Sequence, residues 1–302
     1  MIDGLVVVDK PAGCTSHDVV ARCRRIFGQR RVGHAGTLDP DATGVLLVGL
    51  GRGTRLLRFL AVGTKSYRGQ VVLGTATSTL DDSGEVVGCW DMEGVTLDQA
   101  RAAAAGLTGS LRQVPPMVSA VQVGGRRLHE LARQGIEIER QARTVTVTRF
   151  ELDELSGPAD LPEGCGPVFD LRVDCSAGTY IRSLAADLGT ALGGGAHLRR
   201  LRRSAVGPFS IDEAVPLDEV GPTHVLSPAA ALRGMPAVTV GPDLEAAVAV
   251  GKVLDRATLA LHGDGPWAVL GAGGKLLAVY VGHGGDRAKP AVVVVSPPAG
   301  DR

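Results

Sequence analysis

The chain has 302 residues, 44% of them hydrophobic and 21% charged, which is ordinary for a soluble globular protein with one large domain or a large and a small one. Its 32 Lys and Arg balance 32 Asp and Glu, its aliphatic runs are far shorter than the ~20 residues of a membrane-spanning helix, and no secretory signal pattern opens it. Five cysteines without a CxxC pair argue against a disulfide framework and fit a reducing cytoplasm. Together with the short aliphatic runs, this predicts a cytoplasmic protein that makes no membrane contact.

The first part of the chain alternates short apolar strands with amphipathic helices. The patterns predict strands at 5–8, 45–50 and 67–73, and helices at 17–27, 54–61 and 97–107. Ser16 is expected to cap the first helix and Thr96 the third. A Gly-rich segment, 32–44, leads into the second strand.

The rest of the chain predicts strands at 118–123, 145–152 and 168–175 and helices at 127–134 and 180–192, the last capped by Thr179. This irregular order lacks the rhythm of a doubly wound sheet and predicts an α+β fold with a mixed, mostly antiparallel sheet flanked by helices. Arginine becomes sparse after about residue 230, where strand-like segments stand at 237–240, 267–270, 276–281 and 291–295. We expect two domains, 1–230 and a small β-rich one at 231–302.

Basic residues cluster in spite of the neutral total. Ten Lys and Arg stand between Arg22 and Arg68 against two Asp, a local charge of +8, and four Arg stand within 197–203 without an acid. Phosphate affinity depends on such local clusters and not on the total charge. These cations are either phosphate contacts of a nucleic acid or solvated charges with scattered ion pairs.

Asp39 is the most informative single residue. It stands in the Gly-rich segment, directly before a buried strand, and Pro40 restricts its backbone away from the helical region. A carboxylate presented in this way is a nucleophile, a base or a metal ligand, or else a turn residue that bonds its own backbone.

Several other site types find no support in the sequence. Apart from Asp41, no second carboxylate stands near Asp39 as a glycosidase requires, the seven histidines lack metal-ligand spacing, and the GxxxxGK[ST] phosphate loop is missing. We therefore expect neither a metal nor a cofactor. Tyr67 and Tyr180 are either ordinary core aromatics or pocket residues, one of which suffices to stack on an extruded base.

A series of motifs resembles the bacterial tRNA pseudouridine synthase B family. Segment 32–44, VGHAGTLDPDATG, is similar to the catalytic motif of that family. Matches to its other motifs follow the family's order and span residues 5 to about 210; they lie at 9–16, 65–67, 79–84, 175–184 and 195–203. His129 stands where the family usually has an aromatic residue, and the tail resembles a PUA-like domain by its position.

The resemblance implies a pseudouridine synthase fold and the isomerisation of uridine 55 in the T-loop of tRNA by base flipping, without a cofactor. It implies Asp39 as the catalytic residue, which attacks C1′, attacks C6 or abstracts a ribose proton. Arg182 is the implied partner that keeps this carboxylate ionised. Tyr67 is implied to stack on the flipped base, and Leu201 to form an apolar pocket wall.

The resemblance also implies contacts around the pocket and with the rest of the RNA. His34 is expected to contact the T-loop, and Lys10, Asp81 and Tyr180 to support or line the pocket. A set of arginines is expected to meet phosphates of the T-stem and T-loop; they are Arg25, Arg31 and Arg202, with Arg22, Arg24, Arg30, Arg199, Arg200 and Arg203.

We expect a monomer that needs tRNA and no protein partner. Three alternatives differ in class: a tRNA-folding helper, a guide-RNA-dependent relative in a multi-protein particle, and a hydrolase of small glycosides. A glycoside hydrolase would need a second carboxylate, and it would have no use for the basic residues of the helix predicted at 17–27.

Overall fold

The computed structural model of the chain describes residues 1–119, 122–132, 134–136, 138–156 and 166–295. Its strands are β1 (Gly4–Lys10), β2 (Val32–Ala35), β3 (Thr43–Leu50), β4 (Lys65–Leu73), β5 (Thr75–Thr77), β6 (Val86–Cys89), β7 (Gly109–Gln113), β8 (Gln122–Val123), β9 (Arg126–Arg127), β10 (Arg143–Glu154), β11 (Val168–Cys175), β12 (Ala196–Val206), β13 (Phe209–Ser210), β14 (Val215–Pro216), β15 (Ala237–Thr239), β16 (Leu254–Asp255), β17 (Trp267–Leu270), β18 (Leu276–His283) and β19 (Arg287–Val293). Its α-helices are α1 (Ser16–Ile26), α2 (Leu57–Leu60), α3 (Leu97–Gly106), α4 (Leu128–Ala132), α5 (Ile181–Ala191) and α6 (Pro242–Ala249).

One mixed sheet forms the body of the molecule. Its strand order is β14-β1-β3-β12-β4-β11-β10-β7, with β2 added to β3 and β13 to β12. The pairs β1–β14 and β3–β12 are parallel and the other pairs of this sheet are antiparallel. The expected α+β class with a mixed, mostly antiparallel sheet is confirmed.

Strand β12 is not among the predicted strands, because arginines interrupt the apolar pattern of its sequence. It lies between β3 and β4, at the centre of the sheet. Its basic side chains are accommodated by distant partners: Arg202 pairs with Asp9, and Arg203 donates to backbone carbonyls. The Gly-rich segment likewise contains a strand that was not predicted, β2.

Several local predictions are wrong at their ends. Thr15 and not Ser16 caps α1, and Tyr180 and not Thr179 precedes α5, whereas Thr96 caps α3 as predicted. Residues 118 and 119 are bends, so the strand predicted at 118–123 does not begin there; residues 122–123 form β8, and residues 120–121 lie outside the described part of the chain. The helix predicted at 54–61 is a 3₁₀ turn followed by the single turn α2, and the one predicted at 127–134 is reduced to α4. The side chain of His129 lies outside the described part of the chain.

Helices cover both ends of the main sheet. Ala100 of α3 and Leu184 of α5 share a core with Val71 and Leu171 of the sheet. The apolar face of α1 packs instead over β1 and β3, through Val19, Val20 and Cys23 with Val6, Val8, Leu46 and Val48. Helices α1, α3 and α5 are thereby anchored to the sheet by their apolar faces.

A second sheet follows, with the order β15-β17-β18-β19-β16, and confirms the expected β-rich C-terminal part. Helix α6 was not predicted there. Leu5 and Val7 of β1 share a core with Val279 and Val292 of this sheet. Three cations of the main body hold the backbone at the end of β19 and just after it: Arg52 donates to Val294 O, Arg55 to Val293 O and Arg58 to Ala291 O.

Within the described ranges, every helix falls short of the length and apolar character that crossing a membrane requires.

Candidate active site

The predicted catalytic residues converge on one cavity. It has a volume of about 270 Å³, and Asp39, Tyr67, Tyr180, Arg182 and Leu201 all line it. A second depression of about 160 Å³ shares Asp39, Arg182 and Leu201 and adds Asp81. Residues far apart in the sequence thus meet at the carboxylate of Asp39.

The backbone on both sides of Asp39 is fastened. The hydroxyl of Ser16 accepts from the Leu38 N–H at 2.9 Å and donates to the Leu38 carbonyl at 3.2 Å. Beyond Asp39, the Pro40 carbonyl accepts from Lys10 Nζ at 2.8 Å and from the Gly13 N–H at 3.1 Å. The backbone of this loop is therefore held in place by contacts that do not involve the Asp39 carboxylate.

Lys10 lies beneath this loop. It is fully buried, and its ammonium also donates to the carbonyls of Pro11 at 2.8 Å and Cys14 at 2.6 Å. Three donors thus meet three carbonyl oxygens. Burial lowers the pKa of Lys10 against the opposing effect of the nearby acidic groups. Its geometry is that of a loop support.

Asp39 forms an ion pair with Arg182, with Nε 2.9 Å from Oδ2. The Arg182 side chain is 4% exposed and that of Asp39 43%, so the cation is sequestered while the carboxylate faces the cavity. The two terminal nitrogens of Arg182 donate to the carbonyls of Thr79 and Val118, each at 2.8 Å. The guanidinium fork is thus held in one orientation.

Asp81 approaches the same guanidinium nitrogen as Asp39, with Oδ2 3.5 Å from Arg182 Nε. Its second oxygen accepts from the hydroxyls of Thr79 at 2.6 Å and Ser83 at 2.5 Å. Asp81 therefore orders the loop whose Thr79 carbonyl receives Arg182.

The pKa of Asp39 is raised above its ordinary value. Burial is the main cause, and the charge of Asp81 adds to it, while Arg182 and Lys10 oppose the shift. The expectation that Arg182 favours the ionised carboxylate agrees with the direction of its effect. Burial is nevertheless the larger influence.

Tyr67 and Leu201 come from adjacent strands of the sheet. Tyr67 of β4 is 8% exposed, and burial raises the pKa of its hydroxyl against the opposing Arg203 guanidinium. In β12 the register shifts between Arg199 and Arg202, and Arg200 has a φ of 53°. This bulge re-aims the backbone at Leu201, which lines the cavity.

Tyr180 is positioned through its backbone. Its N–H donates to Gln113 Oε1 at 2.7 Å, and its carbonyl accepts from Gln113 Nε2 at 3.1 Å. This side-chain bridge ties the start of α5 to β7.

His34 lies on β2, two residues before the cavity lining begins at Gly36. Its ring is 5.2 Å from that of His17 in an edge-to-face arrangement. Burial, with the positive charges of His17 and Arg203, lowers the pKa of His34 to about 4. The ring is therefore neutral at physiological pH.

Some of the basic residues have partners within the protein, and others are exposed to solvent. Arg202 makes a two-pronged ion pair with Asp9, at 3.0 and 2.6 Å, and reaches the Thr43 hydroxyl at 3.2 Å. Arg31 is exposed although its Nε donates to the Thr54 hydroxyl at 3.1 Å, and Arg25 is exposed on α1.

Arg203 and Lys65 line the cavity, although neither was expected to do so from the sequence. Arg203, expected among the surface cations, is buried and donates to the Val45 carbonyl at 2.8 Å and the Gly36 carbonyl at 2.9 Å. Gly44 must be glycine beside it, because a Cβ there would lie 2.2 Å from the Arg203 carbonyl oxygen. Lys65 stands two residues before Tyr67 on a strand, a spacing that predicts a shared face.

Among the described residues, no three His, Cys, Asp or Glu side chains are grouped so as to hold a metal ion.

Comparison with protein families places these motifs in context. Residues 24–181 match the model of the TruB family pseudouridylate synthase N-terminal domain, and residues 182–231 match that of the tRNA pseudouridylate synthase B C-terminal domain. The boundary between the two falls in the first turn of α5. Strand β12, in the second match, lies at the centre of the main sheet, so this boundary does not divide the fold into separate units.

Individual relatives agree over nearly the whole chain. Proteins named tRNA pseudouridine synthase B from Mycobacterium ulcerans and Rhodococcus jostii are 46% and 45% identical to this chain, over 97% of it and over 95% and 94% of their own lengths. A chain in a crystal structure of a Cbf5-Nop10-Gar1 complex superposes with a TM-score of 0.74 at 27% identity, covering 97% of this chain and 85% of that one. The chain therefore belongs to the TruB family of pseudouridylate synthases.

Proposed function

We propose that this protein isomerises uridine 55 in the T-loop of tRNA to pseudouridine, with Asp39 as the catalytic carboxylate. The base is detached from C1′ of its ribose, turned, and rejoined through C5, so no group donor is required. The observation that carries the proposal is the ion pair between Asp39 and the buried Arg182, within a cavity that Tyr67 and Leu201 line. The relatives named tRNA pseudouridine synthase B support tRNA as the substrate.

Asp39 must act as an anion whether it attacks C1′, attacks C6 or removes a ribose proton. Burial disfavours that anion, and Arg182 opposes the effect. Because Thr79 and Val118 hold the guanidinium, it stays beside the carboxylate while a base enters.

The target base has to leave the RNA stack to reach this carboxylate. Tyr67 supplies an aromatic face for the extruded ring, and Leu201 an apolar wall that excludes water from the detached base. Tyr180, at the start of α5, extends the same lining.

Contacts outside the cavity position the RNA without reading its sequence. Arg25 and Arg30 are exposed at and beyond the end of α1, and Arg31 follows them. We assign phosphates of the T-stem and T-loop to this group and a T-loop contact to the neutral His34. Arg52, Arg55 and Arg58 hold the C-terminal sheet instead.

We further propose that residues 1–230 form the catalytic domain, that 231–302 form an accessory RNA-binding domain, and that the protein acts alone. The identity to tRNA pseudouridine synthase B proteins, 46%, exceeds the 27% to the chain of the Cbf5-Nop10-Gar1 complex, which favours the form without a guide RNA.

The test is to incubate the purified protein with an unmodified tRNA transcript and to map pseudouridine along it. We expect modification at position 55 alone, and none with Asp39→Asn, which should bind the RNA within a few-fold of the wild-type affinity. Modification at another position would contradict the assigned site. Normal turnover by Asp39→Asn would remove Asp39 from the reaction, and a need for added RNA or protein would restore the guide-dependent alternative.

A further inference from the structure

Two buried cations besides Arg182 line the cavity. Lys65 is 6% exposed and Arg203 1%, and both line it together with Asp39 and Tyr67. Lys65 precedes Tyr67 by two residues on β4, so the two side chains leave the same face of the sheet. Arg203 is the direct cross-strand neighbour of Tyr67.

These two cations donate to carbonyl oxygens, and the Arg203 guanidinium also acts on the Tyr67 hydroxyl. Lys65 Nζ donates to the carbonyls of Ala61 at 2.9 Å and Gly63 at 3.0 Å. Arg203 donates to those of Val45 and Gly36. Among the described residues, the ion pairs of the site engage Arg182 with its two carboxylates and include neither Lys65 nor Arg203. Buried charge without a counter-ion is costly, and an anionic ligand would offset that cost.

The geometry leaves Lys65 suited to such a ligand. An ammonium has three N–H donors, and the two carbonyls engage two of them. The groups that act on its charge are Arg203 on β12 and the Cys175 thiol on β11. Burial, followed by Arg203, lowers the pKa of Lys65 to about 8, against a weaker effect of Cys175. Most of the ammonium is therefore still protonated at neutral pH.

Each route open to Asp39 places negative charge on the pyrimidine. When the N1–C1′ bond breaks, its electron pair stays on the ring; when the carboxylate adds to C6, the electron pair of the C5–C6 double bond passes towards O4. The new C5–C1′ bond uses an electron pair of the ring: on the C1′ route it displaces the carboxylate from C1′, and on the C6 route N1 leaves C1′ as C5 bonds to it. On the third route the abstracted proton returns to the ribose as C5 bonds to C1′. Loss of the C5 proton, which on the C6 route also expels the carboxylate from C6, and gain of a proton at N1 complete the isomerisation without any external reagent.

We propose that the Lys65 ammonium contacts the extruded pyrimidine and stabilises the negative charge that the ring acquires during the reaction. Arg203, which neighbours Tyr67 in the same cavity, supplies a second fixed positive charge. A preorganised donor aimed at developing charge acts strongly in a site from which water is excluded. This proposal rests on the isomerisation proposed above and adds a catalytic residue to it.

The test compares Lys65→Met, Lys65→Arg and a control at an exposed cation of the same sheet, Arg172→Met on β11. For each variant we would measure the single-turnover rate on a tRNA transcript, the Kd at two salt concentrations and thermal unfolding. Lys65→Met is expected to lower the rate at pH 7 by about 10- to 100-fold with an unchanged Kd and salt dependence, because charge stabilisation in the transition state is lost. Lys65→Arg should keep more of the rate, and Arg172→Met should keep all of it.

The pH profile gives a readout that a merely structural role would not move. The charge of Lys65 is present below its pKa and lost above it, so the wild-type rate should fall as the pH rises through about 8. A guanidinium stays charged in this range, so Lys65→Arg should keep its rate to higher pH.

A wild-type rate in Lys65→Met overturns the proposal. So does a variant whose affinity and salt dependence weaken while bound RNA reacts normally, since the lysine then meets a phosphate. If Lys65→Met does not fold, the proposal is tested by how the rates of the wild type and of Lys65→Arg fall at alkaline pH. If both rates fall over the same pH range, the proposal is overturned. An inactive wild-type protein would refute the proposed function itself, so the two failures are distinguishable.

Discussion

Ser16 and Leu38 hydrogen-bond each other twice, with the Ser16 hydroxyl accepting from the Leu38 N–H at 2.9 Å and donating to its carbonyl at 3.2 Å. Ser16 is the first residue of α1, and Leu38 directly precedes Asp39. The helix thus fixes the backbone that presents the carboxylate. The contact also shows why Ser16 is not the cap: its hydroxyl is engaged by the loop, and Thr15 performs the capping.

Ser16→Ala is expected to lower the single-turnover rate with little change in RNA affinity. It strands the buried Leu38 N–H, which costs about 1–3 kcal/mol of stability and loosens the loop beside Asp39. Thr15→Ala is the matched control, because it removes the cap of the same helix at a cost of about 1 kcal/mol and keeps the Ser16 contacts. Equal losses of rate in the two variants, measured beside thermal unfolding, would contradict a specific role for Ser16.

Arg182→Lys is expected to lose most of the activity. The guanidinium reaches Asp39, Thr79 and Val118 in three directions at once, and an ammonium on a shorter chain cannot. The two carbonyls lose their charged donor, so the melting temperature should fall as well. Single-turnover kinetics and circular dichroism check both effects, and full activity would show that a point charge suffices.

The reaction rate should fall at acidic pH, in an acidic limb of the pH profile that reports the protonation of Asp39. Because the pKa of this carboxyl is raised, the carboxylate is lost as the pH falls, at a higher pH than for an ordinary aspartate. Asp81→Asn removes the negative charge that adds to this rise of the Asp39 pKa, so it should move the acidic fall of the rate to lower pH. Rate profiles on prebound tRNA measure the shift, and a limb that moves upward would contradict this account.

Arg25→Ala is expected to weaken tRNA binding and to reduce the slope of log Kd against log salt by about 1, as the loss of one phosphate contact does. Arg55→Ala is the control, because Arg55 comes from the same basic segment but holds the Val293 carbonyl. It should leave the slope unchanged and lower thermal stability. Filter binding at several salt concentrations distinguishes the two, and identical slopes would remove Arg25 from the RNA interface.

The strands and the site residues differ in how far they are predictable. Apolar runs predict β1, β3, β4, β10 and β11, because each buries a face in the sheet and keeps that pattern locally. Strand β12 escapes prediction, because its arginines meet partners such as Asp9, 193 residues away, that no local window contains. The sequence predicts Asp39, Tyr67, Arg182 and Leu201 as members of one site through their motifs, and the fold brings them to one cavity.

The sequence by itself determined the fold class, the family motifs and the residue types of the site. Only the tertiary structure decided what each cation does: Arg203 is buried against the Gly36 carbonyl, Arg202 pairs with Asp9, and Arg25 stays exposed. The physical reason is that an arginine carries the same charge at every position. Its function depends on whether carbonyls, carboxylates or water surround it, and the distant segments that supply those groups are assembled only in the folded chain.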